Sequence, residues 1–272
     1  MNAPNTLEYG FNLALKSFYS LLEHKLLVFF IFVPRIIITL LDLLVFNVLA
    51  SQTTPQISFF ELIQGGIIAL SQQGNWYYYS IMLLYYFFQI TLLLFFHIGL
   101  IYQTNRLLDG NGFRLKETLS AVTQKWRLIL LWALITAFQL YIVTTSTESL
   151  PVQLLMAMLN FVWLFFIFFV LPLIALSDKS LIQILIESFK KSARHALLLF
   201  GGFAFFIGLS LLMLPIALIM TIPNYLLTMV IFSLLFLARI VISTIYIIFQ
   251  TRAYRATRPR DPAFDYLKQP TP

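Results

Sequence analysis

The chain has 272 residues, 60% hydrophobic and 11% charged, with a mean hydropathy of +0.87 and a formal charge of +7. Soluble domains carry about 25% charged residues, so a water-soluble globule is excluded and lipid must serve as solvent for much of the surface. Cysteine is absent, which removes disulfides, thiolate metal sites and a cysteine nucleophile. The basic residues border apolar runs, where anionic headgroups attract each by about 1 kcal/mol, and do not point to nucleic acid.

Residues 7–25 are predicted to form an amphipathic helix. Leu7, Phe11, Ala14, Leu15, Phe18, Leu21 and Leu22 recur at helical spacing, opposite Glu8, Asn12, Lys16, Ser20 and Glu23. Such a helix lies in the membrane interface. The first span is expected over 26–50, too long a run for the core of a cleavable signal. An outer loop follows at 51–75, with a short apolar helix over 57–70 interrupted by Gly65-Gly66. The second span, 76–104, opens on the aromatic belt Trp76-Tyr77-Tyr78-Tyr79.

The turn Asp109-Gly110-Asn111-Gly112 precedes a second amphipathic stretch, Arg114 to Arg127. Span three is expected at 128–146, an outer turn at Pro151 and span four at 153–176. Asp178-Lys179-Ser180 reads as the cap of a third amphipathic helix, 181–195. Span five, 196–221, the turn Pro223-Asn224 and span six, 225–251, complete the pattern. The tail 252–272 holds four Arg, one Lys and four Pro and is expected to be extended or disordered.

Of the eighteen Lys and Arg, only Arg35 and Arg239 lie within spans. The rest fall in the N-terminal arm, the connections 105–127 and 177–195, or after Thr251, and none in 51–75, 144–153 or 222–225. Cytoplasmic loops carry the Lys/Arg excess, which orients both ends inward. The expected fold is all-α, one domain of six transmembrane helices with three cytoplasmic interfacial helices.

The segment 17–29 aligns with 188–200, six of thirteen positions matching, and 119–131 has the same design. An interfacial helix, an outward span, an outer turn and a return span would thus recur three times in one orientation, a parallel repeat. Shared composition alone would also align such segments.

Charges in a bilayer core cost about 2.5–3.5 kcal/mol and are functional candidates. Arg35 and Asp42 share a face of span one, seven residues apart, and Arg239 stands in span six. At 1.5 Å per residue they lie about 14, 24 and 18 Å from the inner boundary. Either Asp42 and one arginine lock two helices while the other arginine snorkels, or the excess positive charge binds an anion. His97, about 10 Å in, suits a helix–helix hydrogen bond or a proton-carrying group; His24 and His195 sit at cytoplasmic junctions. Pro34, Pro172 and Pro215 interrupt spans, tolerated where a neighbour satisfies the freed carbonyl. Gly201, Ala204 and Gly208 form a small-residue packing stripe. No zinc-binding histidine pair, nucleophile elbow or phosphate loop occurs, so neither an enzyme, a metal nor a cofactor is expected.

The segments Leu128 to Leu134, Phe168 to Leu173 and Glu187 to Ser192, with Ala253 to Thr257 and Ala263-Phe264-Asp265, resemble an uncharacterised bacterial family of six-helix inner-membrane proteins. More distantly the chain is similar to the YciC-like membrane proteins. The resemblance implies the fold and a bacterial inner-membrane location, and no activity. The leading expectation is a non-enzymatic membrane protein that organises envelope lipids, anionic headgroups foremost, or a partner protein or second copy. The alternative is a transporter or lipid-handling channel using Arg35, Asp42 and Arg239. A polar cavity between spans one and six would favour the alternative, and a dry bundle with an exposed apolar groove the partner role.

Overall fold

The computed structural model describes residues 5–50, 76–145, 150–213 and 225–258, with Pro215, and these are all-helical, without strands. The expected helix over 57–70, the side chains of Trp76 to Tyr79, the turn Pro223-Asn224 and the tail from 259 lie outside the described residues. In chain order the helices are α1 Leu7–Glu23, α2 Phe29–Ala50, α3 Trp76–Leu108, α4 Leu115–Gln124 and α5 Trp126–Thr145. There follow α6 Leu150–Phe166, α7 Val170–Leu176, α8 Leu181–Arg194, α9 Ala196–Leu211 and α10 Tyr225–Thr257. Helices satisfy their own backbone, as a chain surrounded by hydrocarbon must.

Three stretches, Leu83–Leu108, Leu155–Leu176 and Val230–Thr257, are long and apolar enough to cross a membrane. Three helix pairs reach the same standard jointly but bend sharply: 102° between α1 and Lys25–Asp42, 69° between α4 and α5, and 83° between α8 and α9. The bends fall at His24, Lys125 and His195. Aligning them pairs Ser17 with Thr118 and Ser188, all three fully buried. The middle copy therefore runs one residue earlier than 119–131, because the junction, not the apolar content, fixes its register.

The three bent arms are arranged as a ring. α4 packs on α3, and α8 on α6 and α7, each beneath the return helix that precedes it. α1, the first of the described helices, packs instead on α9 and α10, closing the ring from much later in the sequence. Thr118 Oγ1 donates to Gln103 Oε1 at 2.8 Å and Ser188 Oγ to the Phe166 carbonyl at 2.7 Å. Asn5 fastens the closure: its Nδ2 donates to the Arg194 carbonyl at 2.9 Å and its Oδ1 accepts the free Leu198 N–H at 3.0 Å, capping α9 from a remote segment.

Small residues let this crossing form. A Cβ on Gly10 would collide with the Leu198 carbonyl, and one on Gly201 with the Leu7 carbonyl. The expected stripe is realised only in part, since Ala204 is exposed and Gly208 has open space around it. Gly202 is constrained too, pressed on the Phe249 ring, and Gly99 more mildly against Phe30.

Around α1 the residues fall into three sectors. Gly10, Ala14, Ser17 and Leu21 are buried against the bundle; Leu7, Phe11 and Leu22 are apolar and exposed; Glu8, Asn12, Lys16 and Glu23 are polar and exposed. α8 repeats the division with Ile184, Ser188 and Ser192, then Ile182, Ile186 and Phe189, then Gln183, Lys190 and Arg194.

The helix ends follow local chemistry. α3 stops in a Schellman turn: Gly110 has φ +79°, Asn111 N–H donates to the Arg106 carbonyl and Gly110 N–H to that of Leu107, both at 3.0 Å. Ser180 and Gln183 make a capping box at the start of α8. Asp178, expected to share that cap, instead receives Lys125 Nζ at 2.5 Å, because it faces the α4–α5 bend. That bond and then the lysine charge hold its carboxyl below the usual range.

One expectation is corrected at the C-terminal side. Residues 252–257 continue α10 rather than joining an extended tail. Arg252 donates to Ser20 Oγ on α1, while Arg255 pairs with Asp109 at 2.7 Å and donates to the Asn105 carbonyl at 3.0 Å. Contacts to two neighbours thus hold the extra turn.

Candidate functional site

The four candidate residues lie on α2, α3 and α10, with Arg35, Asp42 and His97 partly buried and Arg239 exposed. α2 packs against both α3 and α10, so the helices of the first and last expected spans lie side by side. Arg35 lies within electrostatic reach of Arg239, Asp42 and His97, and the four expected site residues therefore share one region.

Their pairing differs from expectation. Asp42 accepts a hydrogen bond from Gln89 Nε2 of α3 at 2.7 Å. Among the described residues it makes no ion pair with either arginine; the ion pairs lie elsewhere, on α3, α4, α8, α10 and the loops beside them. Seven residues separate Arg35 from Asp42, about 10 Å along the axis, and the neutral Gln89 amide approaches from the adjacent helix. Asp42→Leu should therefore cost about 1–3 kcal/mol by stranding that amide. Adding Gln89→Leu should restore most of the loss and adding Arg239→Gln should not, which thermal unfolding of the purified variants measures.

α10 presents a polar stripe that the charges alone do not reveal. Arg239, Ser243, Tyr246 and Gln250 follow one another at spacings of four, three and four, one face of a helix. Arg239 and Ser243 line a cavity of about 230 Å³ together with Ser210 of α9. Ser243, Tyr246 and Gln250 line a larger one of about 430 Å³, walled otherwise by α3, α5, α6, α7 and α9. The two cavities share Ile242 and Ser243. α2 contributes no wall to the larger cavity, which lies between α10 and the helices on its other side.

Two groups on the larger cavity wall are buried and unpartnered: His97 Nε2 and Gln250 Oε1. The rest of the lining is predominantly apolar, with Trp132 stacked on Trp163 at 6.3 Å between centroids. The other end of the Gln250 amide is committed. Its Nε2 donates to the Phe168 carbonyl at 3.0 Å. Phe168 stands four residues before Pro172, which has no N–H to return to it, and the helix breaks between α6 and α7. The neighbour anticipated for a freed proline carbonyl is Gln250.

Gln103 and Gln250 occur in matching settings, Ile101-Tyr102-Gln103-Thr104 and Ile248-Phe249-Gln250-Thr251. A comparison of the two return spans with each other would have singled out both glutamines. Gln103 serves the α3–α4 junction rather than the cavity.

At the junction of α8 and α9, His195 is 7% exposed. Burial first, and then the charges of Lys191 and Arg194, hold it below its ordinary value of 6.5. His24, its counterpart, is exposed. Among the described residues no group of three or more His, Asp or Glu could hold a metal ion. No protein-family model matches this chain, and no curated protein or solved structure is detectably similar to it.

Proposed function

We propose that this chain is a non-enzymatic, six-span protein of the bacterial inner membrane, both ends cytoplasmic, that takes a membrane amphiphile into its bundle. The apolar helices suit an integral membrane protein. The three sectors of α1 and α8 match the three environments at the inner rim of a bundle: neighbouring helices, lipid and water. Their exposed apolar side chains enter the acyl boundary while the polar sector faces the cytoplasm, where anionic headgroups meet the lysines and arginines.

The topology has a direct test, since a chain without cysteine takes single labels cleanly. Cysteines at Gln56, Ser149 and Asn224 should react with an impermeant maleimide in intact cells, and those at Asn111 and Ser180 should not. Outside labelling at either of the last two sites overturns the arrangement.

The observation that carries the lipid-handling reading is the polar stripe of α10 along two adjoining cavities in an otherwise apolar bundle. Small-molecule sites are mostly apolar hollows of about 300–1,000 Å³ with a few placed polar groups, and the larger cavity fits that description. It favours uptake of a lipid-type molecule over a dry scaffold for a partner protein. Ser243→Phe fills the shared wall. Wild type should retain an amphiphile in stoichiometric amount through detergent exchange, read by mass spectrometry, and Ser243→Phe should lose it. Retention of nothing beyond bulk lipid by wild type would defeat this reading.

A further inference from the structure

The charge on the cavity wall selects among amphiphiles. Arg239 makes no ion pair among the described residues, and Arg35 adds a second positive charge within electrostatic reach. Asp42 supplies one negative charge nearby, but its near partner is Gln89. Among the described residues the site is therefore one negative charge short, and an uncompensated guanidinium in hydrocarbon is costly. Ser210 and Ser243, the two hydroxyl residues on the wall that Arg239 lines, can donate to an acidic oxygen.

The space beyond limits what else the ligand carries. From Ser243 the hollow continues into the larger, apolar chamber, and the stripe ends at Gln250. A bare inorganic anion would leave that chamber unused. Its volume, about 430 Å³, lies near the low end for small-molecule sites, which suits one chain and not the two of a phospholipid. Resting on the lipid-handling reading above, we propose that the paired cavities hold a single-chain anionic amphiphile. Its carboxylate or phosphate group sits by Arg239, Ser210 and Ser243, and its chain follows α10 toward Gln250.

Trp132 lines the larger chamber and reports occupancy. The full chain, in nanodiscs of zwitterionic lipid, is titrated with brominated palmitate, and the saturable quenching that unlabelled palmitate displaces is followed. A brominated alcohol of the same length should bind at least tenfold more weakly. Arg239→Gln should weaken palmitate at least tenfold and Arg239→Lys only severalfold. Dodecyl phosphate should compete, and inorganic phosphate should not. Equal binding of acid and alcohol, or an undiminished Arg239→Gln, overturns recognition of the acid while leaving the cavity reading intact. Inorganic phosphate competing as well as dodecyl phosphate makes a free anion the occupant and overturns the amphiphile. Absence of saturable quenching by any probe defeats both proposals. The acid–alcohol comparison uses wild-type protein, so it decides even where Arg239→Gln fails to fold.

Discussion

Replacing Gly201 by alanine should destabilise the protein by about 1–3 kcal/mol or more, the range for overpacking a filled interior. Helix propensity points the other way, favouring alanine by about 1 kcal/mol, so the clash decides the sign. The new Cβ would meet the backbone carbonyl of Leu7, which cannot swing aside like the end of a flexible side chain. Gly10→Ala should behave alike against Leu198, and the double variant should cost less than the sum because both act on one crossing. Gly208→Ala, with open space around it, is the control and should lose nothing. Melting of the purified variants checks all four; an unperturbed Gly201→Ala would mean that α1 does not seat on α9.

The second large effect concerns Gln250. Gln250→Leu should cost about 1–3 kcal/mol by leaving the buried Phe168 carbonyl without a donor. Pro172→Ala in the same chain supplies the missing N–H in sequence, so the double variant should recover most of that stability. Because Gln250 also ends the polar stripe, the rescued protein should fold and still bind an amphiphile less well. Failure of Pro172→Ala to compensate would show that the glutamine acts through its cavity-facing oxygen alone.

Much of the architecture is readable from residue order, for identifiable reasons. Apolar runs locate the spans because hydrocarbon demands them, and the 3.6-residue period locates α1, α4 and α8 because each arm has a wet side. Arg35, Asp42, Arg239 and His97 stand out because ionisable groups are rare in such runs. What they touch was not readable, since it depends on helix rotation: Asp42 meets Gln89, a neutral residue that a search for countercharges passes over. The stripe beyond Arg239 was legible in spacing but chemically quiet, Ser243, Tyr246 and Gln250 being residues that hydrocarbon tolerates. Gly10 carries no signal of its own in an amphipathic pattern, because its role depends on a backbone almost two hundred residues away. Residues 252–257 looked like a loose basic tail because their anchors, Ser20, Asn105 and Asp109, lie on other elements.

The closure of the ring by α1 sets an order of events during synthesis. α4 and α8 each dock on a helix already made when they emerge. α1 is made first, yet its seat on α9 and α10 is made last, with Asn5 waiting for the Arg194 carbonyl and the Leu198 N–H. Through most of translation the small-residue face of α1 stays uncovered. That face is covered only by helices that follow it by more than 170 residues in the sequence. A copy that lacks α9 and α10 has no seat for α1, and Gly10, Ala14 and Ser17 stay uncovered on it.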